Sequence, residues 1–205
     1  MSHVSGLESM GISTRPPYEL APGSFIFIVD DALPLPLCED VVARFERDTD
    51  GHYEGRVGQG AWTDTSIKAS TDLTVSGNAR WRDVDHALFR SLAAAVAGLS
   101  HRFPFFTGNF KDIGYAVQRT QPGQHYHWHI DGGSHALSQR QLVAIWYLND
   151  VPGPGGETEF RHQRLSIRPQ AGKLALFPPF WTHEHRGVTL EQGVKYIATT
   201  WVVFG

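Results

Sequence analysis

Two histidine-rich segments place the strongest constraint on how this chain can fold. Residues 127–131 read His-Trp-His-Ile-Asp, and residues 181–186 read Trp-Thr-His-Glu-His-Arg. In an extended strand, alternate residues point to the same side, so His129 and Asp131 can bind one ion together, whereas a helix would point them apart. The aromatic and β-branched residues around this pair favour a strand. We therefore expect a β-rich fold that brings the second segment beside the first.

The ligand types indicate which metal such a site would take. His129, Asp131 and His185 on neighbouring strands would supply two imidazoles and one carboxylate and leave half of an octahedron open, an arrangement that suits Fe(II) and its chemistry with O₂. The His-x-Asp pair alone is a weak signal, because polar residues at strand ends are common. The prediction therefore depends on the second segment.

The last predicted strand carries an unusual cation. Over residues 194–204, Lys195, Ile197, Thr199 and Trp201 fall on one face by the period of two. A cationic side chain among apolar neighbours is costly unless it meets an anion. The alternative is a lysine at the strand end that extends its ammonium group to water.

Four motifs in order add a resemblance to this pattern. They are Gln-Pro-Gly-Gln-His-Tyr-His-Trp-His-Ile-Asp at 121–131, Ile-Trp-Tyr-Leu-Asn-Asp-Val at 145–151, Gly-Gly-Glu-Thr-Glu-Phe at 155–160 and Gly-Lys-Leu-Ala-Leu-Phe-Pro at 172–178. From about residue 25 onward the chain resembles the 2-oxoglutarate and Fe(II)-dependent oxygenases, specifically the prolyl 4-hydroxylase-like group. The resemblance implies a mainly β (α+β) fold, a cupin-like double-stranded β-helix or jelly roll. N-terminal helices, predicted over residues 36–47 and 79–99, would buttress it.

The resemblance also implies roles for individual residues. His129, Asp131 and His185 match the metal ligands, and Lys195 matches the residue that pairs with the distal carboxylate of 2-oxoglutarate. Thr158 matches a hydroxyl that assists at this carboxylate, and Trp201 matches an aromatic residue near the site. Thr120 stands where family members often have Tyr, so Gln118 or Tyr115 is a candidate for the remaining cosubstrate contacts. The implied cofactors are Fe(II), 2-oxoglutarate as cosubstrate and O₂, with ascorbate as a further candidate.

Other histidines compete for the ligand roles. His127 shares a strand face with His129 but lacks a carboxylate at the matching position, and the ten-residue interval before Lys195 favours His185 over His183. We expect four histidines to support the metal site, to line a substrate pocket or to be solvated: His125, His127, His135 and His183.

Length and composition indicate how many domains the chain forms and which classes of partner they disfavour. With 205 residues, of which 41% are hydrophobic, the chain can form one core, so we predict an N-terminal arm over 1–23 and a single oxygenase domain over 24–205. A net charge of −3 and a pI near 6.4 give no basic stripe for nucleic acid. The lone Cys38 excludes an internal disulfide and is expected to be buried. No apolar stretch approaches the roughly 20 residues of a membrane span, and residues 1–17 do not read as a signal peptide, so a cytoplasmic location is expected.

Three functional hypotheses follow. The leading one is hydroxylation of an unactivated C–H bond of a small molecule, such as an amino acid or secondary metabolite, with release of succinate and CO₂. The second is hydroxylation of a residue within a protein, including proline, and the third is a non-enzymatic cupin-like sensor of a metal or ligand. The metal site alone does not separate hydroxylation from desaturation or cyclisation, and the sequence does not predict the oligomeric state. Substrate contacts are expected from the loops at 52–76 and 132–141.

Overall fold

The computed structural model describes residues 11–58 and 62–205. Two α-helices are present in this part of the chain: α1 (Leu35–Arg47) and α2 (Arg82–Ser100). The strands are β1 (Tyr18–Glu19), β2 (Phe27–Val29), β3 (His52–Glu54), β4 (Thr71–Thr74), β5 (Phe110–Asp112), β6 (Ala116–Thr120), β7 (Tyr126–His129), β8 (Arg140–Tyr147), β9 (Thr158–Phe160), β10 (Leu165–Ile167), β11 (Leu174–Phe177), β12 (His185–Gly187) and β13 (Lys195–Phe204).

The strands form two antiparallel sheets. The major sheet has the order β1-β2-β11-β8-β13-β6-β4-β3, with β5 also paired to β13, and the minor sheet has the order β10-β9-β12-β7. Neighbours in these sheets are mostly distant in sequence, so long-range pairing determines the fold. The predicted mainly β class is confirmed.

Alternation along β8 explains how the major sheet serves two cores. Leu142, Ala144 and Trp146 join the cluster that includes the buried faces of the helices. Val143 and Ile145 point the other way, into a second cluster that also contains Phe160 of the minor sheet. This alternation is the period of two that a strand buried on both faces requires.

The helices pack on the outer face of the major sheet, as predicted. Cys38, Val41 and Phe45 are the buried residues of α1. The buried stripe of α2 includes Leu88 and Leu92. Asp83 and Asp85 in its first turn stabilise the helix, because their negative charges lie near the positive end of the helix dipole. The predicted second helix, at 79–99, begins with a short 3₁₀ turn at Ala79–Trp81 before the α-helix starts. Neither α1 nor α2, the α-helices of the described ranges, combines the length and apolar composition of a membrane span.

The N-terminal region differs in detail from its prediction. The strand expected over residues 24–29 is confined to β2, because Phe25 adopts a left-handed backbone conformation with φ of 54°. Part of the predicted arm is ordered, since β1 pairs with β2. The first ten positions of that arm lie outside the described residues, and the domain boundary itself stays a prediction.

Candidate active site

The minor sheet brings the two histidine-rich segments together. β7 and β12 are antiparallel neighbours, and His185 lies directly opposite His129. Asp131 lies just beyond the end of β7, where its backbone N–H donates to the Pro179 carbonyl at 3.0 Å. Asp131 therefore lies in a bend after the strand, whereas the sequence predicted that it would lie in the strand itself. One ligand atom from each of His129, Asp131 and His185 lies within 4.8 Å of the others.

Both imidazoles are oriented by the backbone. The Nδ1 atom of His129 is 2.8 Å from the His127 carbonyl, and that of His185 is 3.0 Å from the His183 carbonyl. A carbonyl only accepts, so each Nδ1 carries the proton and each Nε2 is left as a lone-pair donor. Burial lowers the pKa of His129 to about 3 and lowers the pKa of His185. Both rings are thus neutral near pH 7, which is the form that binds a metal.

The carboxylate of Asp131 supplies the test of whether a metal fits. Its Oδ2 atom is buried with no hydrogen-bond partner among the described residues. This atom lies 3.3 Å from Nε2 of His185 and 3.9 Å from Nε2 of His129. A buried carboxylate oxygen without a partner is costly, and a cation held by these atoms would remove that cost. The donor set fits Fe(II), with three ligands and open positions.

Arg140 supports Asp131 from outside the cluster. Its Nη1 donates to the Asp131 carbonyl at 2.9 Å and lies 3.8 Å from Oδ1 of the same residue. The guanidinium group lies 3.8 Å from the ring centroid of Trp201, in a cation–π contact. A solvated Arg140 would be the expectation for a loop-end residue, yet the side chain is largely buried. Its geometry indicates a positioning role for the Asp131 segment.

Replacement of Arg140 by methionine is expected to weaken Fe(II) binding by about tenfold to a hundredfold, since residues that orient metal ligands commonly contribute that much. The measurement is an anaerobic Fe(II) titration of the purified apoprotein. Arg80→Met is the matched control, because the side chain of Arg80 is 71% exposed. Equal Fe(II) affinity in the Arg140 and Arg80 variants would show that Arg140 does not position the ligand.

A cavity between the sheets extends from the metal ligands. It encloses ≈ 790 Å³ of empty space, open mouth included. The predicted face of β13 is confirmed, because its four residues all line this cavity: Lys195, Ile197, Thr199 and Trp201. Val143 and Ile145 of β8 supply an apolar wall.

Lys195 is buried in this cavity with only 6% of its surface exposed. The residues that the structure describes include no hydrogen-bond acceptor and no salt-bridge partner for its ammonium group, which lies 5.9 Å from the Tyr147 ring centroid. Burial lowers the pKa of Lys195 to about 8, and Glu157 partly offsets this effect. Beside it, the Tyr147 hydroxyl donates to Oγ1 of Thr158 at 2.8 Å. The Thr158 proton is thereby left for another acceptor.

The other predicted residues divide between the cavity and the rest of the fold. Gln118, Thr120 and Thr158 line the cavity. Tyr115 does not: it packs in the helix-side core, with its ring centroid 5.9 Å from that of Trp146. Tyr115 as a substitute for the missing tyrosine is therefore wrong, because it projects from the opposite face of the sheet.

The additional histidines also separate. His125 lines the cavity, and Nε2 of the buried His183 lies 2.9 Å from the Ser24 carbonyl. His127 and His135 are exposed. None of these four belongs to a metal-type cluster within the described ranges.

Sequence reasoning missed two residues that line the cavity, Tyr126 and Lys68, and also Tyr147, whose hydroxyl contacts the cavity residue Thr158. The Tyr126 ring stacks on the His129 imidazole with centroids 3.5 Å apart. Tyr147 shares a strand face with Val143 and Ile145, so the period of two could have identified it. Lys68 lies in the predicted loop at 52–76 and forms a β-bridge with Tyr126, which no local signal indicates.

Comparison with known proteins adds independent information. Residues 115–203 match the model of the 2OG-Fe(II) oxygenase superfamily. This range contains the candidate metal ligands and Lys195. A search of curated proteins finds no match.

Solved structures with the same fold include three prolyl hydroxylases. A collagen prolyl hydroxylase of Paramecium Bursaria Chlorella virus-1, in a 2OG complex, has a TM-score of 0.66 and 19% identity, covering 91% of this chain and 99% of that one. A Trichoplax adhaerens prolyl hydroxylase, in complex with a hypoxia inducible factor peptide, has a TM-score of 0.72 and 18% identity over 88% of this chain and 84% of that one. A Pseudomonas putida prolyl-4-hydroxylase has a TM-score of 0.65 and 20% identity, and the match covers 100% of this chain and 98% of that one. These neighbours confirm the predicted double-stranded β-helix.

Proposed function

We propose that this chain, which is a 2-oxoglutarate and Fe(II)-dependent dioxygenase, hydroxylates an unactivated C–H bond of a small molecule. In this proposal His129, Asp131 and His185 hold the iron, and Lys195 holds the distal carboxylate of 2-oxoglutarate. The observation that carries it is the buried, unpaired ammonium group of Lys195 in the cavity of the candidate metal ligands. A sensor would need no such cosubstrate clamp, and the superfamily match favours an enzyme.

Each residue has a definite task under this proposal. The backbone-held imidazoles present Nε2 to the metal without a protonation change, and Arg140 keeps the Asp131 segment in place. When bound, iron with 2-oxoglutarate and O₂ supplies the oxidation of a C–H bond, with conversion of 2-oxoglutarate to succinate and CO₂. The Lys195 ammonium group and the Thr158 hydroxyl would orient the distal carboxylate by charge-assisted hydrogen bonds.

The apolar wall gives these contacts their strength. Val143, Ile145 and Ile197 line the same cavity as Lys195 and give its ammonium group apolar surroundings. In such surroundings the attraction between an ammonium group and a carboxylate exceeds its value at the surface. A ketoacid too short to reach Lys195 would lose this contact, so the fixed position of the ammonium group would select for chain length.

Peptide hydroxylation is the second candidate. The Trichoplax adhaerens neighbour was solved with a peptide fragment, and the viral neighbour is a collagen prolyl hydroxylase. Arg56 and Ala69, from the segment between β3 and β4, line the open cavity in this chain, so a peptide could approach along that segment. We favour the small molecule because the cavity wall at this segment carries a second buried cation, Lys68, which suits a small anionic ligand.

The test of the proposed function is an anaerobic titration of the apoprotein with Fe(II) and 2-oxoglutarate. We expect the weak visible charge-transfer band of an iron-chelated ketoacid, and succinate release once O₂ is admitted. Iron binding without the charge-transfer band, and without succinate release, would contradict the proposal and favour the hypothesis of a non-enzymatic metal sensor.

The pH dependence of 2-oxoglutarate use is a further expectation. Only the charged form of Lys195 pairs with a carboxylate, and this lysine loses its proton as the pH rises through its lowered pKa of about 8. The KM for 2-oxoglutarate is therefore expected to be constant below that pH and to rise above it, by up to about tenfold per pH unit. Steady-state succinate assays from acid to alkaline pH measure this dependence.

Lys195→Arg provides the control for the pH experiment, because a guanidinium group stays charged throughout the range. Its KM for 2-oxoglutarate is expected to show no rise near pH 8. The same rise in both proteins would assign the titration to another group.

A further inference from the structure

We propose that Lys68 binds the carboxylate of the substrate, and that the enzyme therefore acts on a small carboxylic acid such as a free amino acid. This inference rests on the proposed function, because it places the substrate in the same cavity as the candidate metal ligands. It concerns a cation that the cosubstrate site does not use.

Lys68 is a buried cation in the cavity wall. Only 5% of its surface is exposed, and it lines the cavity just before β4. Its Nζ donates to Oδ2 of Asp72 at 2.7 Å, and the Ser70 hydroxyl donates to Oδ1 of Asp72 at 2.7 Å. Asp72 does not line the cavity. The carboxylate thus holds the ammonium group from behind.

The ammonium group has capacity for further partners. A lysine carries three N–H donors, and Asp72 takes one of them. Within the described residues, nothing accepts a hydrogen bond from the other two. Buried donors without acceptors are costly, so the arrangement favours an acceptor that enters from the cavity.

The position of Lys68 relative to the metal ligands suits a short substrate. Its Nζ lies 5.6 Å from the centroid of the Tyr126 ring, which stacks on His129. Lys68 is therefore one aromatic ring away from a candidate iron ligand. Lys195 belongs to β13 and Lys68 precedes β4, with β6 between these strands. The two lysines can therefore serve two different acids, the cosubstrate and the substrate.

The backbone around Lys68 is shaped to hold it. Gly55, which directly follows β3, donates its N–H to the Ser70 carbonyl at 2.9 Å. A Cβ atom at Gly55 would lie 3.0 Å from Cε of Lys68 and would overlap the Ser70 hydroxyl. Glycine at this position lets the β3 end pack directly against the Lys68–Asp72 pair.

The charges favour a monoanionic group over a dianionic one. Asp72, hydrogen-bonded to Lys68, repels a second negative charge, and the repulsion grows with the charge of the ligand. A carboxylate, with one negative charge, is therefore repelled less by Asp72 than a doubly charged phosphate would be. A residue inside a peptide has neither group on its backbone, so the Lys68 contact separates free acids from internal peptide residues.

The experiment uses the full chain with Fe(II), 2-oxoglutarate and O₂, and follows succinate release. The probes are the free L-amino acids, their α-amides, and a proline-containing peptide capped at both ends. We expect at least one free acid to stimulate release while its amide does not. In Lys68→Met, the KM for that acid is expected to rise by about tenfold to a hundredfold, with a much smaller change in the KM for 2-oxoglutarate.

Two further variants control for folding and for general charge effects. Lys68→Met/Asp72→Asn removes both charges and leaves no buried ion unpaired, so it tests the inference if the single variant does not fold. Lys111→Met removes an exposed lysine on β5 and should leave the KM for the acid unchanged. Thermal unfolding of each variant checks that it is folded.

The outcomes separate this inference from the proposed function. Equal stimulation by an acid and its amide, stimulation by the capped peptide alone, or an unchanged KM for the acid in both Lys68 variants would overturn the carboxylate assignment. So would basal succinate release that no free acid increases. Absence of any succinate release from the wild-type protein would instead overturn the proposed function.

Discussion

Replacement of His129, Asp131 or His185 by alanine is expected to reduce iron-dependent succinate release to background. Each residue supplies one donor atom to a cluster in which all donor atoms lie within 4.8 Å. Loss of one leaves two protein ligands, too few to hold Fe(II) firmly while three positions stay open. Succinate release and anaerobic Fe(II) binding, measured on each variant, test this expectation.

The apoproteins should remain folded. Asp131→Ala removes a buried oxygen that has no hydrogen-bond partner in the described part of the chain, so its loss should cost little stability without metal. For a chain of this size a change of 1 kcal/mol moves the Tm by about 2–4 °C, and we expect shifts of that order. His127→Ala is the matched control, since His127 is an exposed histidine on the same strand. Full activity in any ligand variant would exclude that residue as a ligand.

Replacement of Lys195 by methionine is expected to raise the KM for 2-oxoglutarate by about thirtyfold or more. The estimate corresponds to the loss of a charge-assisted hydrogen bond, about 2 kcal/mol. Methionine keeps most of the apolar volume, so the cavity wall should survive the change. Titration of 2-oxoglutarate in the succinate assay measures the effect.

The structure argues against Arg186 as the residue that binds the distal carboxylate of 2-oxoglutarate in place of Lys195. Arg186 is a basic residue next to a metal ligand, but its guanidinium group pairs with Glu159 at 2.7 Å and packs over the Trp128 ring. It does not line the cavity. Lys195→Arg should retain part of the affinity, and Lys111→Met should retain all of it. An unchanged KM in Lys195→Met would show that another group holds the carboxylate.

Local rules were sufficient for part of the site. The period of two placed Lys195 and Trp201 on one face of the last strand, and both line the cavity. The same rule, applied to β6, would have excluded Tyr115: Gln118 and Thr120 face the cavity, whereas Val117 and Tyr115 face the helices.

Other features depend on contacts that no local pattern contains. The bend at Asp131 is fixed by the Pro179 carbonyl, and Arg140 reaches back to the same residue. Lys68 faces the cavity because its segment bridges to Tyr126 on a distant strand. The contacts of Asp131 with Pro179 and of Lys68 with Tyr126 join segments far apart in sequence, so their geometry follows from the tertiary pairing of the sheets. The contact of Arg140 with Asp131 spans only nine positions, but it depends on how the intervening loop folds back.

The candidate site is divided between the two sheets, and this division has a thermodynamic consequence. The histidine ligands belong to β7 and β12 of the minor sheet, whereas Lys195 belongs to β13 of the major sheet. A molecule held at one end by the metal and at the other by Lys195 would act as a cross-brace between the layers. Binding of the cosubstrate and packing of the two sheets would then be linked equilibria. A higher concentration of free cosubstrate would increase the free energy needed to separate the sheets.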